Sequence, residues 1–159
     1  MAFLVLPVMV VLFYLGMAME FNQWAQAVPG AGKPGQMVNV ATVSAQQAEV
    51  FGAACLDTAT ATAGMISSSI TVTLPTGVTT PANAVCMTTS AGGGTRNVYA
   101  YAPAVSGEAG QVMTDSDSSA AWFLVPRSGR AVGIVSGQPS AIPATIPAGS
   151  LLAWFQVNP

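Results

Sequence analysis

From Met1 to Met19 the chain carries no charged side chain, and the run from Ala2 to Gly16 is apolar on every face of a helix. Wound as an α-helix, 18 such residues would reach about 27 Å, close to the roughly 30 Å hydrocarbon thickness of a bilayer. Inside lipid the backbone must satisfy its own hydrogen bonds, so a helix is the form open to a single apolar segment. Phe3, Leu4, Leu6, Pro7, Val11, Leu12, Phe13 and Tyr14 are the expected anchor residues, Glu20 closes the run, and Trp24 falls where an interfacial aromatic would sit. Pro7 would loosen the first turns, a defect membrane helices tolerate when a neighbour or water re-satisfies the freed carbonyl. Residues 1–20 are therefore expected to be a transmembrane anchor in contact with lipid.

Two other readings of this segment compete. Ala25-Gln26-Ala27 resembles the small-residue site of a cleaved secretory signal, although no Lys or Arg precedes Lys33. Gly16-Met17-Ala18-Met19-Glu20 carries the glycine and glutamate of a prepilin leader, but its apolar run lies before the glycine rather than after it. All three readings put the remaining chain outside the cytoplasm.

Residues 21–39 are rich in Gly, Pro, Gln and Ala without helical or strand period, and read as a flexible tether. Gly30-Ala31-Gly32-Lys33-Pro34 is not a phosphate loop, because Ala27 replaces the first glycine and Pro34 the magnesium-binding Ser or Thr. Residues 40–159 then form one small domain, an ordinary size for a single core. A helix is predicted over Asn39–Ala63, where Val40, Val43, Val50, Phe51, Ala54 and Thr58 recur at three- and four-residue steps, with Ser44 to Gln47 as a candidate capping box and Gly64 as the stop. Strands are predicted at Ser69–Leu74, Asn97–Ala102, Ala121–Val125, Arg130–Val135 and Leu151–Val157. Polar turns separate them at Ser90–Thr95, Asp115–Ser119 and Ser136–Gln138, and Ile142-Pro143-Ala144 with Ile146-Pro147-Ala148 reads as an extended connection. The expected fold class is α+β: one long helix on a small, mainly antiparallel sheet.

Charge excludes several functions. Only 6% of residues are charged, the net charge is −2, and the basic residues are Lys33, Arg96, Arg127 and Arg130. So few cations cannot collect phosphates by counterion release, which argues against nucleic acid as a partner. Weak like-charge repulsion also suits a subunit packed against copies of itself or other proteins. Arg96, Arg127 and Arg130 are the candidate partner contacts, docking to an acidic face, or else simply strand-end charge. The chain has no histidine, which removes the usual general base and the commonest zinc ligand. Of the carboxylates, Asp115 and Asp117 match only two positions of a calcium loop, and Glu49 and Asp57 provide polar surface on the predicted helix. No catalytic residue, metal ligand or cofactor is assigned. Trp122, Trp154 and Phe155 read as core.

Cys55, in the helix, and Cys86, expected in a loop, suit one disulfide of an exported domain, worth roughly 3 to 4 kcal/mol by loop closure; a pair of buried free thiols is the alternative.

Several segments carry a resemblance: Ala48-Glu49-Val50-Phe51, Ile70-Thr71-Val72-Thr73-Leu74-Pro75, Val98-Tyr99-Ala100-Tyr101, Ala131-Val132-Gly133-Ile134 and Ile146-Pro147-Ala148-Gly149-Ser150-Leu151. In this order, behind a hydrophobic N-terminus, they resemble the small PilM-type proteins of type IVb and conjugative thin pili, distinct from the actin-like cytoplasmic proteins of the same name. The resemblance implies a single-pass bacterial inner-membrane protein with its C-terminal domain in the periplasm, acting without catalysis among pilus or secretion assembly proteins. A pilin-like minor filament subunit, and an exported enzyme or small-ligand module, are the alternatives.

Overall fold

The computed structural model describes Tyr14 and residues 32–158. The expected anchor lies outside the described residues except for Tyr14, which is exposed. Among the described residues no helix is long and apolar enough to cross a membrane. The chain divides into two compact units, Met1–Asn39 and Val40–Pro159. The elements in chain order are α1 (Lys33–Ala61), β1 (Ser67–Ile70), β2 (Val85–Gly92), β3 (Thr95–Pro103), α2 (Glu108–Asp115), β4 (Trp122–Arg127), β5 (Arg130–Gly133), β6 (Pro139–Ala141) and β7 (Ser150–Val157).

The start of α1 shortens the expected tether at its C-terminal end, while residues 21–31 lie outside the described residues. Residues 33–39, expected to be irregular, are helical, and Gln36 N donates to Gly32 O at 3.0 Å. Pro34 does not prevent this, because a first-turn proline gives up an N–H that has no intrahelical acceptor anyway. The capping box at Ser44 to Gln47 is accordingly displaced into the middle of the helix.

In the second unit all seven strands join one antiparallel sheet in the order β1-β2-β3-β7-β4-β5-β6. The last strand is inserted at the centre: β7 pairs with β3 from Arg96↔Val157 to Pro103↔Ser150 and with β4 at Trp122↔Ala153. Residues 98–102 of β3 are buried consecutively, as expected of a central strand covered on both faces. One face, with Cys86, Val98, Ala100, Trp122, Leu151 and Ala153, receives α1 and Val112 of α2. The other, with Met87, Tyr99, Tyr101, Val125 and Leu152, is covered by Ile142 and Ile146 from the β6–β7 connection. That connection is folded into turns rather than extended, with Ile146 N donating to Pro143 O at 3.1 Å.

The buried stripe of α1 in this unit is Ala41, Ala45, Ala48, Phe51, Gly52, Cys55 and Ala59, at steps of three and four. The valines that suggested the helix face outward instead, since Val40 and Val43 are exposed. Small side chains bring the helix axis close to the sheet. A Cβ on Gly52 would stand in van der Waals contact with Ala153 Cβ at 3.4 Å and Trp122 Cη2 at 3.5 Å, so a side chain longer than a methyl meets both.

The C-terminal end of α1 has no basic residue in its last turn. Its open carbonyls are met from the sheet. Arg96 of β3, 3% exposed, donates through Nη1 to Thr62 O (3.0 Å) and Met65 O (3.2 Å) and through Nη2 to Ala59 O (3.1 Å). A cation at the negative end of a helix dipole is favourable, and the planar guanidinium reaches three carbonyls at once. Buried Thr88 continues this junction, donating to Met65 O (2.8 Å) and accepting from Ser67 N (3.0 Å).

Three elements were not expected from the sequence. Strand β2 mixes Cys, Met and Thr and is buried on both faces, so it lacks polar alternation. Helix α2 is eight residues long and contains Gly110; Glu108 steadies its start, accepting from Val105 N at 2.7 Å. Strand β6 has three residues, one of them proline, as edge strands can. Conversely, the strand predicted to Leu74 ends at Ile70.

Two outcomes follow. Gly52→Leu should lower stability by about 1–3 kcal/mol through overpacking against Trp122 and Ala153, read as a lower denaturant midpoint at unchanged slope. Arg96→Met should cost about 1–3 kcal/mol, because the methionine fills the space but leaves the carbonyls without a donor, and Arg96→Lys should recover only part of the loss.

Candidate functional site

Cys86 lies in β2, not in a loop, directly beneath α1, and it forms a disulfide with Cys55, with the two Cα atoms 5.6 Å apart. The bond closes a separation of 31 residues and ties the C-terminal part of α1 to the sheet. Both sulfurs are enclosed in the core, so the pair is structural in position.

The three candidate partner-contact arginines have different fates. Arg96 is turned inward onto the end of α1, which corrects its assignment as a partner contact: its guanidinium is occupied by three backbone carbonyls. Arg127 and Arg130 are exposed and stand directly opposite each other where β4 turns into β5. The turn is Ser128-Gly129, and Gly129 has φ 80°, a left-handed conformation that glycine adopts without steric cost. Beside it the hairpin and the edge strand β6 enclose an open concavity of about 500 Å³, lined by both arginines, Gly129, Pro139 and Ser140. Among the described residues neither arginine makes an ion pair.

Carboxylates gather at the opposite end of β4. Asp115 ends α2 and accepts from Gln111 Nε2 at 2.8 Å. Asp117 follows with φ 50° and Ser118 with φ 60°, a conformation that Asp tolerates better than most residues. Glu49 of α1 adjoins them. Burial, and secondarily the Asp115 charge, push its carboxyl above the usual range, and its Oε1 is buried without a hydrogen-bond partner. No group of three or more His, Cys, Asp or Glu side chains that could hold a metal ion occurs among the described residues.

Two further surfaces complete the site inventory. A shallow groove of about 250 Å³ runs between Val43, Gln46, Gln47 and Val50 of α1 and the loop Gly77-Val78-Thr79, bridged by a Gln47 Nε2 to Thr79 Oγ1 bond of 3.0 Å. On the sheet face away from α1, Trp154 lies 5.6 Å from Tyr99 and 5.5 Å from Phe123, and its Nε1 donates to Asn97 Oδ1 at 3.0 Å. Trp122 is core as expected, whereas Trp154 and Phe155 are half-buried.

No protein-family model matches the chain, and no curated protein matches it. Among solved structures the fold is similar to the crystal structure of a protein PilM from Escherichia coli B7A, with a TM-score of 0.55 at 20% identity. The match covers 76% of this chain and 94% of that one. The α+β arrangement of a helix on an antiparallel sheet is thus shared with a PilM protein.

The Glu49 carboxyl gives a pH dependence of definite sign. Its folded-state pKa lies above the unfolded value, so between the two the native state holds the extra proton and stability falls as pH rises. Glu49→Gln should therefore be more stable than the parent at neutral pH, with the difference vanishing below the ordinary carboxylate range. Parallel urea titrations of both proteins at several pH values check this.

Proposed function

We propose that this chain is a non-enzymatic, membrane-anchored component of a type IV pilus or secretion assembly apparatus, acting by protein–protein contact. The observation that carries the reading is the fold shared with the PilM protein of Escherichia coli B7A across nearly all of that chain. The uncharged leader of the sequence supports an inner-membrane anchor, and the Cys55–Cys86 disulfide supports a periplasmic site for the domain, since such bonds persist in oxidising compartments. In this reading lipid surrounds the leader, while pilus or secretion proteins, or further copies of the chain, meet the exposed faces of the domain.

A filament subunit is the second reading. Val40 and Val43, exposed on α1, favour it, because a neighbouring helix in a filament would cover them.

Gentle extraction of the membrane fraction, crosslinking and mass spectrometry separate these readings. Co-isolation with a pilus or secretion platform in substoichiometric amount is the expected result. Recovery in purified filaments at the stoichiometry of a subunit supports the second reading, and recovery as a free soluble monomer overturns both.

A further inference from the structure

The second unit contains eight charged residues: Glu49, Asp57, Arg96, Glu108, Asp115, Asp117, Arg127 and Arg130. Two of these, Arg96 and Glu108, are buried on backbone partners. The others are not spread evenly. Both remaining cations occupy one hairpin, Asp115 and Asp117 belong to the turn that leads into the other end of β4, and Glu49, which feels the Asp115 charge, and exposed Asp57 are on α1. The six-residue strand β4, roughly 17 Å long and about twice the Debye length at physiological ionic strength, lies between the two groups in the chain, and no ion pair joins them among the described residues.

Placing two arginines directly opposite each other is unfavourable in a hairpin unless a counter-charge is supplied. Among the described residues none is supplied from within the chain. The concavity between the hairpin and β6 leaves both guanidinium groups open on one side, and Ser140 adds a polar group to its wall. Its complement in size and charge is a protruding turn carrying two carboxylates, and this chain presents such a turn: Asp115 and Asp117 are exposed, and the left-handed residues Asp117 and Ser118 turn the backbone sharply there.

We propose that the Arg127–Arg130 hairpin of one copy docks on the Asp115–Asp117 turn of a second copy. Because the two patches differ and lie at opposite ends of one strand, the contact is head-to-tail: the first copy keeps its acidic turn free and the second its arginine hairpin. Such a contact propagates into a ring or an open array rather than closing as a two-fold dimer. Exposed ion pairs contribute little individually, so the arginines set direction and register, and association strengthens wherever copies are concentrated.

The test uses the full chain in detergent, with sedimentation velocity over a concentration series. Two variants reverse the charges separately: Arg127→Glu with Arg130→Glu, and Asp115→Arg with Asp117→Asn, the asparagine preserving tolerance for the left-handed backbone. Each variant alone should self-associate at least about tenfold more weakly than the parent, and raising the salt to about 1 M, where the Debye length is about 3 Å, should weaken the parent similarly. An equimolar mixture of the two variants should regain association, since each reversed patch then meets its complement. A parent that stays monomeric at every concentration overturns the proposal while leaving the pilus assembly reading in place. Undiminished association of the arginine variant overturns it too, as does a mixture no stronger than its components, which would mean that the hairpin meets a face of the second copy other than the Asp115–Asp117 turn. Single variants Arg130→Gln and Asp115→Asn, changing one exposed side chain each, repeat the measurement with less disturbance and should show smaller losses in the same direction.

Discussion

Close approach between α1 and the sheet governs the second unit. It is possible because the helix face is made of alanines, a glycine and a cysteine, and because Ala100 and Ala153 answer them from β3 and β7. Gly52 leaves room for a methyl group at contact distance and for nothing larger before Ala153 and Trp122, Cys55 reaches Cys86 without intervening bulk, and Phe51 supplies the large aromatic of the stripe. Tight packing of this kind gains dispersion contacts over the whole length of the interface, and each added methylene must be absorbed by a shift of the helix. The valines on the outward face would have held it further away.

That contact determines the use of the polar groups as well. A helix laid close on β3 ends beside Arg96, and an arginine there has two choices, to be desolvated without partners or to take the helix carbonyls. It takes them, with Nε left unpaired, so the cation becomes part of the junction rather than part of the surface. Glu108 undergoes the same change of role, accepting from the backbone N–H of Val105 at the start of α2. The visible electrostatics of the unit are thereby reduced to Asp57 and Glu49 on α1 and a few groups at the two ends of β4. A surface otherwise of Ser, Thr, Gly and apolar residues gives such groups a larger influence on orientation than they would have on an ordinary charged surface.

Comparison with PilM of Escherichia coli B7A shows a shared fold at an identity of 20%, and a shared fold does not by itself carry a shared function. Within this chain the close-contact stripe and the cysteine pair are bound to one another through geometry, since Gly52 and Cys55 are one helical turn apart on the face that meets the sheet.

From the sequence by itself, the α+β class, a helix through Phe51 and Cys55, the strands around Val98, Phe123, Val132 and Leu152, and the cysteine pairing were legible, because each rests on local periodicity or on a choice of one pair from two cysteines. The tertiary structure alone decided the rest. Which side of α1 faces inward depended on how closely the sheet could approach, a property of both partners that favours Ala over Val and cannot be read from either. β2, α2 and β6 form because neighbouring strands, the Glu108 bond and the adjacent hairpin hold them, although their own residues carry little preference. Arg96, Arg127 and Arg130 are chemically alike in the sequence, yet one closes a helix and two form an exposed pair, because burial and the availability of carbonyl partners are properties of where the chain has brought them.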